Sequence, residues 1–155
     1  MMQAVMTPEQ KVRMAPFHIN QKDGNITEAD GTANTWSDIW KYQVPQGSGI
    51  ILQTGDQISM YLEDATAQVG DDTCYVKIEV RDAAEEEKDR LYGAALYQSV
   101  KEFQDRDTIA KLEVPKPMRV YPRQWIVISV KDDGAIDASD SYFDLFTSKV
   151  AVPLA

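Results

Sequence analysis

Thr73-Cys74-Tyr75-Val76-Lys77-Ile78-Glu79-Val80 alternates small or apolar side chains with polar ones along its length. Cys74, Val76, Ile78 and Val80 share one parity, and Thr73, Tyr75, Lys77 and Glu79 share the other. A period of two places the two sets on opposite faces of a strand, so the stretch predicts an amphipathic strand with one wet face. From Gln124 to Lys131 the same period returns, with Ile126, Ile128 and Val130 on one face and Trp125 and Val127 on the other. That composition predicts a strand covered on both sides. Working outward, Trp36, Trp40, Tyr42 and Val44 share a parity opposed by Ser37, Lys41 and Gln43, with Ile39 as the exception. Ile58, Met60 and Leu62 alternate with Ser59, Tyr61 and Glu63, and a last strand from Tyr142 to Val152 sets Phe143, Leu145 and Thr147 against Tyr142, Asp144 and Phe146.

Between these runs stand turn formers: Pro45, Gly47 and Gly49, then Gly55-Asp56, then Asp132-Asp133-Gly134. Asn20 to Thr35 is dense in such residues and reads as a long loop with room for a short strand. Asp82 to Arg90 is a charged block that must be solvated. Leu91 to Phe103 fits a wide helical face or a strand, and its aromatics and Gly93 favour strand. Short segments are expected from Thr108 to Val114, stopped by Pro115 and Pro117, and from Met118 to Tyr121, stopped by Pro122. The sum is roughly eight to ten short strands with no βα alternation and no internal repeat, which predicts an all-β fold, an antiparallel β-sandwich or jelly roll. Residues 20–155 are expected to form this single domain. Residues 1–19 are expected to be an extended N-terminal arm, because Pro8 and Pro16 break any helix and the segment has too little apolar surface to fold alone.

A chain of 155 residues is enough for one core and too short for two sizeable domains. Lys plus Arg is 16 and Asp plus Glu is 25, so the net charge is 16 − 25 = −9. Binding nucleic acid needs a surplus of cations to neutralise phosphates, so no nucleic-acid partner is expected. One cysteine cannot form an internal disulfide, and one histidine cannot supply a zinc or His-based di-metal cluster. No apolar stretch approaches the roughly 18–20 residues of a membrane-spanning helix, and the mean hydropathy is −0.40. A soluble chain without a membrane partner is therefore expected. The start lacks the cationic and apolar blocks of a secretory signal. No phosphate-binding glycine motif is present, and Gly47-Ser48-Gly49 reads as a turn.

Candidate chemistry is sparse. Triad catalysis needs an imidazole beside its nucleophile, and only His18 is available, between Phe17 and Ile19 at the end of the arm. It reads as a surface or packing residue. Cys74 lies on the apolar parity of its strand and reads as an inert buried thiol. Asp132, Asp133, Asp137 and Asp140 place four carboxylates within nine residues, a weak candidate for a hard cation that matches no EF-hand spacing. Asp23, Asn25, Thr27 and Asp30 begin like a calcium loop but lack Gly at the sixth position and a closing acid. The expectation is a solvated turn in both places, with no metal and no cofactor. Asn25-Ile26-Thr27 fits a glycosylation acceptor but comes without a secretory signal. Trp36, Trp40 and Tyr42 form a row at strand spacing, either core or a platform for stacking sugars, and Trp125 carries the same ambiguity.

Trp40-Lys41-Tyr42-Gln43-Val44-Pro45 with Gly55-Asp56, Glu102-Phe103-Gln104-Asp105-Arg106-Asp107, Met118-Arg119-Val120-Tyr121-Pro122, Gln124-Trp125-Ile126-Val127-Ile128 and Asp140-Ser141-Tyr142-Phe143-Asp144-Leu145 give the chain a strand and turn texture. From Trp36 to Val152 that texture resembles the jelly-roll capsid decoration, or cementing, proteins of tailed double-stranded DNA viruses, without a diagnostic motif. The resemblance implies a non-enzymatic homotrimer on the outer surface of a virion, bound to the major capsid protein and bracing neighbouring subunits, and it carries over no catalytic residue. In that setting the arm would anchor on a neighbour as an added strand through Val12, Met14, Phe17 and Ile19. The competing expectation is a carbohydrate- or ligand-binding sandwich using Trp36, Trp40 and Tyr42.

Overall fold

The structure is a computed structural model that describes residues 15–64, 69, 74–90, 98–99, 111–114 and 116–151. Its elements are β1 (Ala15–Asn20), β2 (Ile26–Glu28), β3 (Ser37–Gln43), β4 (Ser48–Leu52), β5 (Gln57–Tyr61), β6 (Tyr75–Arg81), β7 (Glu87–Arg90), β8 (Gln98–Ser99), β9 (Lys111–Glu113), β10 (Met118–Val120), β11 (Trp125–Lys131) and β12 (Tyr142–Ala151), with one 3-10 turn at Ala138–Asp140. Two six-stranded antiparallel sheets form a sandwich, as the alternation predicts.

Sheet A is organised by β12. Leu145 pairs with Ile19 of β1 and with Ile58 of β5, and Ser148 pairs with Pro16 of β1 and Ile51 of β4. β1 therefore occupies one side of β12, while β4 and β5 follow one another along the other. β4 and β5 are one ribbon interrupted at Gln53–Asp56, and β10 and β9 pair with its two halves. Gly55 has φ +96°, a left-handed conformation that L side chains rarely adopt, and Gly55 N donates to Val114 O while Val114 N donates to Asp56 O. The break thus keeps its hydrogen bonds. In sheet B, β3 and β6 flank β11, β2 extends β3, and β7 and β8 pair with successive parts of β6.

The facing sides of the sheets bury Trp40, Tyr42, Val76, Ile78, Val80, Ile126, Ile128 and Val130 from sheet B against Ile50, Leu52, Ile58, Met60, Phe143 and Leu145 from sheet A. Trp40 and Phe143 meet across this core with ring centroids 4.8 Å apart. The Ile39 exception has a physical cause. The β3–β11 register moves from Trp40↔Ile128 to Asp38↔Ser129, so Ile39 is the extra residue of a bulge and is itself buried.

Some expectations change. The block Asp82 to Arg90 is solvated as expected, with residues 83–89 exposed, and it also contains a strand, β7, whose pairing with β6 supplies the ladder that propensity lacks. The arm boundary moves: residues 15–19 are part of β1, and Ile19, 1% exposed, belongs to the chain's own core. An anchoring role for Ile19 on a neighbour is thereby overturned. Of Leu91 to Phe103 only Gln98 and Ser99 are described, and they form β8; the remainder lies outside the described residues, as do Val12 and Met14.

Candidate functional site

On β12 the residues of odd number, Phe143, Leu145 and Thr147, turn inward, which leaves Tyr142, Asp144, Phe146 and Ser148 on the outer face of sheet A. Their cross-strand neighbours complete two aromatic pairs. His18 is opposite Phe146 in the register, and the rings stack with centroids 4.4 Å apart and an interplanar angle of 5°. The same imidazole bonds Asp144 through Nε2 and Oδ1 at 2.6 Å. Tyr142 is opposite Tyr61, with ring centroids 5.3 Å apart, and the Tyr61 hydroxyl donates to Glu63 Oε1 at 2.7 Å. That hydrogen bond, aided by partial burial, pushes the Tyr61 phenol up to about 12. Phe146 is 46% exposed. Beside it a groove of about 570 Å³ runs between β1 and the break in the β4–β5 ribbon, lined by Pro16, His18, Gly55, Gln57, Phe146 and Ser148. An exposed aromatic patch with two carboxylates at its margin suits a protein partner: the rings supply contact area and the polar groups orient it.

The outer face of sheet B is built differently. Arg81 makes a two-pronged contact with Asp38, Nη1 to Oδ2 at 2.7 Å and Nη2 to Oδ1 at 2.9 Å, and Nη2 also meets Glu79 Oε1 at 3.0 Å. Ser129 donates to Asp38 Oδ1 at 2.8 Å. Burial by itself would raise the Asp38 carboxyl, but the Arg81 fork and the Ser129 hydroxyl outweigh it and hold the group below its ordinary 3.8. Lys77 lies 4.9 Å from the centroid of the Trp36 ring, and Lys41 lies 5.2 Å from that of Trp125 while bonding Glu85 at 2.6 Å. These long side chains close over Val127, Ser129 and Glu79, and Glu79 is only 3% exposed. Among the described residues this face is lined by paired charges.

The sequence-predicted sites fare unevenly. The Trp36, Trp40 and Tyr42 row does not form: the Ile39 bulge reverses the parity, so Trp40 and Tyr42 enter the core while Trp36 sits outside beneath Lys77. A stacking platform of these three residues is excluded by that geometry. Tyr42 places its hydroxyl in the core without a hydrogen-bond partner among the described residues, and burial pushes the phenol up to about 12. Asp132 is buried, accepts from Gly134 N at 2.9 Å and bonds the Cys74 thiol, which burial first and Asp132 next drive above the ordinary thiol range. Cys74 is buried, as its parity predicts. Asp137 caps the 3-10 turn by accepting from Ser139 N and Oγ. Its charge raises the carboxyl of Asp140. Asp30 accepts from Ala138 N at 2.9 Å, tying the long early loop to this one. Among the described residues no group of three or more His, Cys, Asp and Glu side chains converges to hold an ion.

No protein-family model matches the chain, and no curated protein matches it in sequence. Solved structures do match in fold. VP17, a capsid protein of bacteriophage P23-77, superposes with a TM-score of 0.61 at 6% identity, over 90% of this chain and 97% of that one. The VP16–VP17 complex, formed by the two major capsid proteins of the same phage, gives 0.60 at 6% identity, over 90% of this chain and 99% of the matched one. The sandwich is one that phage capsid proteins use. At this identity the likeness is one of fold, and it agrees with the jelly-roll class read from the alternating strands.

Proposed function

We propose that this chain is a structural protein of a phage virion, and that it decorates the shell by binding its outer surface and bracing neighbouring capsid subunits without catalysis. The observation that carries the reading is the fold match to phage capsid proteins along nearly the whole of both chains. Two features of the molecule support it. The outer face of sheet A offers an exposed aromatic patch with a groove, and the charge of −9 suits a surface away from packaged nucleic acid. In this reading the arm, now residues 1–14, reaches a neighbour through Val12 and Met14, with Phe17 at its root packed against the core. The protein acts as a homotrimer in contact with the major capsid protein, and repetition over a lattice multiplies modest single contacts. Contacts made only in the mature shell stabilise it by mass action.

The test is to add the purified protein to shells lacking it and follow binding and the temperature of genome release. Saturable binding and a higher release temperature are expected; neither appearing ends the proposal. A second reading, a shell-building subunit, is favoured by the match to a complex of two major capsid proteins. Shells that fail to assemble at all in the absence of this chain select that reading.

A further inference from the structure

The connections between the sheets converge at one end of the sandwich, where Asn25, Gln43–Gln46, Ala83 and Arg123 surround a pocket of about 430 Å³. Its lining is polar amide, apart from Val44, Pro45 and Ala83, and its one charge is Arg123. The turn that carries this charge is unusual. Gln124 N donates to Tyr121 O at 3.0 Å, so Tyr121-Pro122-Arg123-Gln124 is a closed turn with Pro at its second position and Arg123, φ +70°, at its third. That third position with positive φ favours Gly or Asn, and an arginine held there is strained. The surroundings fix it firmly: Arg123 N donates to Val44 O at 2.7 Å, Gln43 Nε2 donates to Arg123 O at 3.1 Å, and Arg123 Nη2 donates to Gln46 Oε1 at 2.9 Å. Lys41, Arg81 and Lys116 each meet a carboxylate. Among the described residues none lies within ion-pair distance of Arg123.

We infer that this pocket is a socket for a carboxylate, an Asp or Glu side chain presented by a neighbouring protein, gripped by the Arg123 guanidinium with the pocket amides as flanking donors. Gln46 takes one hydrogen of the fork and leaves the others for a planar, singly charged acceptor. One cation among neutral amides matches one negative charge, whereas the repeated phosphates of a nucleic acid would meet a chain of net −9. An arginine held in a strained left-handed turn position, with its guanidinium on the pocket, points to a use for the side chain. The assembly role proposed above supplies the neighbour, but the chemistry of the socket is tested without shells.

The experiment titrates isotopically labelled protein with the blocked peptide acetyl-Gly-Glu-Glu-Gly-amide and follows the Arg123 Nε–H resonance. A saturable shift is expected, with the dissociation constant rising about tenfold or more in Arg123→Gln, since a charge-assisted hydrogen bond is lost. Arg123→Gly is expected to lose the peptide equally while melting about 1–3 °C higher, because the left-handed strain is gone. An equal shift with acetyl-Gly-Gln-Gln-Gly-amide, or binding by Arg123→Gln within twofold of the parent, overturns the socket. Sodium acetate binding as tightly as the peptide overturns the protein-borne source.

Discussion

The two outer faces of the sandwich are both made of strands with alternating side chains, yet one is closed and the other open. On sheet B the outward residues are long and oppositely charged: Arg81, Asp38, Glu79 and Lys77 pair with one another and Lys41 pairs with Glu85, with Lys77 and Lys41 lying over two tryptophans. On sheet A the outward residues of β12 include two aromatics, and these find only partial cover, His18 for Phe146 and Tyr61 for Tyr142. A face whose charged groups are paired gains little from a partner, because docking would strip water from groups that already have their bonds, although Trp125 Nε1 on this face has no hydrogen-bond partner among the described residues. A face with exposed ring surface gains from being covered. Under the proposed function, the closed face of sheet B serves stability and the open face of sheet A is a surface left for a partner, separate from the Arg123 pocket.

Substitutions on the two faces and in the core between them are expected to differ in size of effect. The largest is expected from Ile19→Ala: if β1 is part of the core rather than of the arm, the loss is about 3–4 kcal/mol by urea denaturation, while removal of residues 1–14 changes the urea midpoint little. Next, Arg81→Ala strands the buried Glu79 and the part-exposed Asp38 and should cost about 2–3 kcal/mol, reduced from the fully buried case by the exposure of Asp38. A smaller cost than for an arginine on an open surface would show that the sheet B network is decoration. Third, the depressed carboxyl of Asp38 contributes stability that is present above its unfolded value near 3.8 and is lost as pH falls through the lower folded value. Melting temperature should therefore drop below about pH 4, and Asp38→Asn should flatten that acid limb. Smallest in stability is Phe146→Ser, expected within about 0.5 kcal/mol of the parent, but it should remove shell binding. Unchanged binding would move recognition away from sheet A.

Much of this architecture is legible in the residues. The parity of β6 names the inward side chains correctly and those of β11 and β12 separate the two faces as the structure does, because a strand with one buried face fixes its register by hydrophobic pattern. The prediction that Gln124 to Lys131 is covered on both sides holds for Val127, which is buried on the outer face between Lys41 and Glu79 of the flanking strands. The charged strand β7 was illegible, since pairing with β6, not its own composition, makes it a strand. The tryptophan row fails on one inserted residue, Ile39, whose mark in the sequence is a single break in alternation. His18 and Asp144 are 126 residues apart, and nothing local to either announces the other. Arg123 carries a partial signal: Pro122 announces a turn, but the sign of its φ follows from closure onto Val44 and Gln43.

The strand β12 bonds to β1 on one side and to β4 and β5 on the other. A tension applied along its axis loads those ladders together, in shear, so their hydrogen bonds must break in concert rather than unzip one by one. A ten-residue strand held on both flanks makes sheet A a stiff tie in that direction, while a pull across the strands would open it one rung at a time.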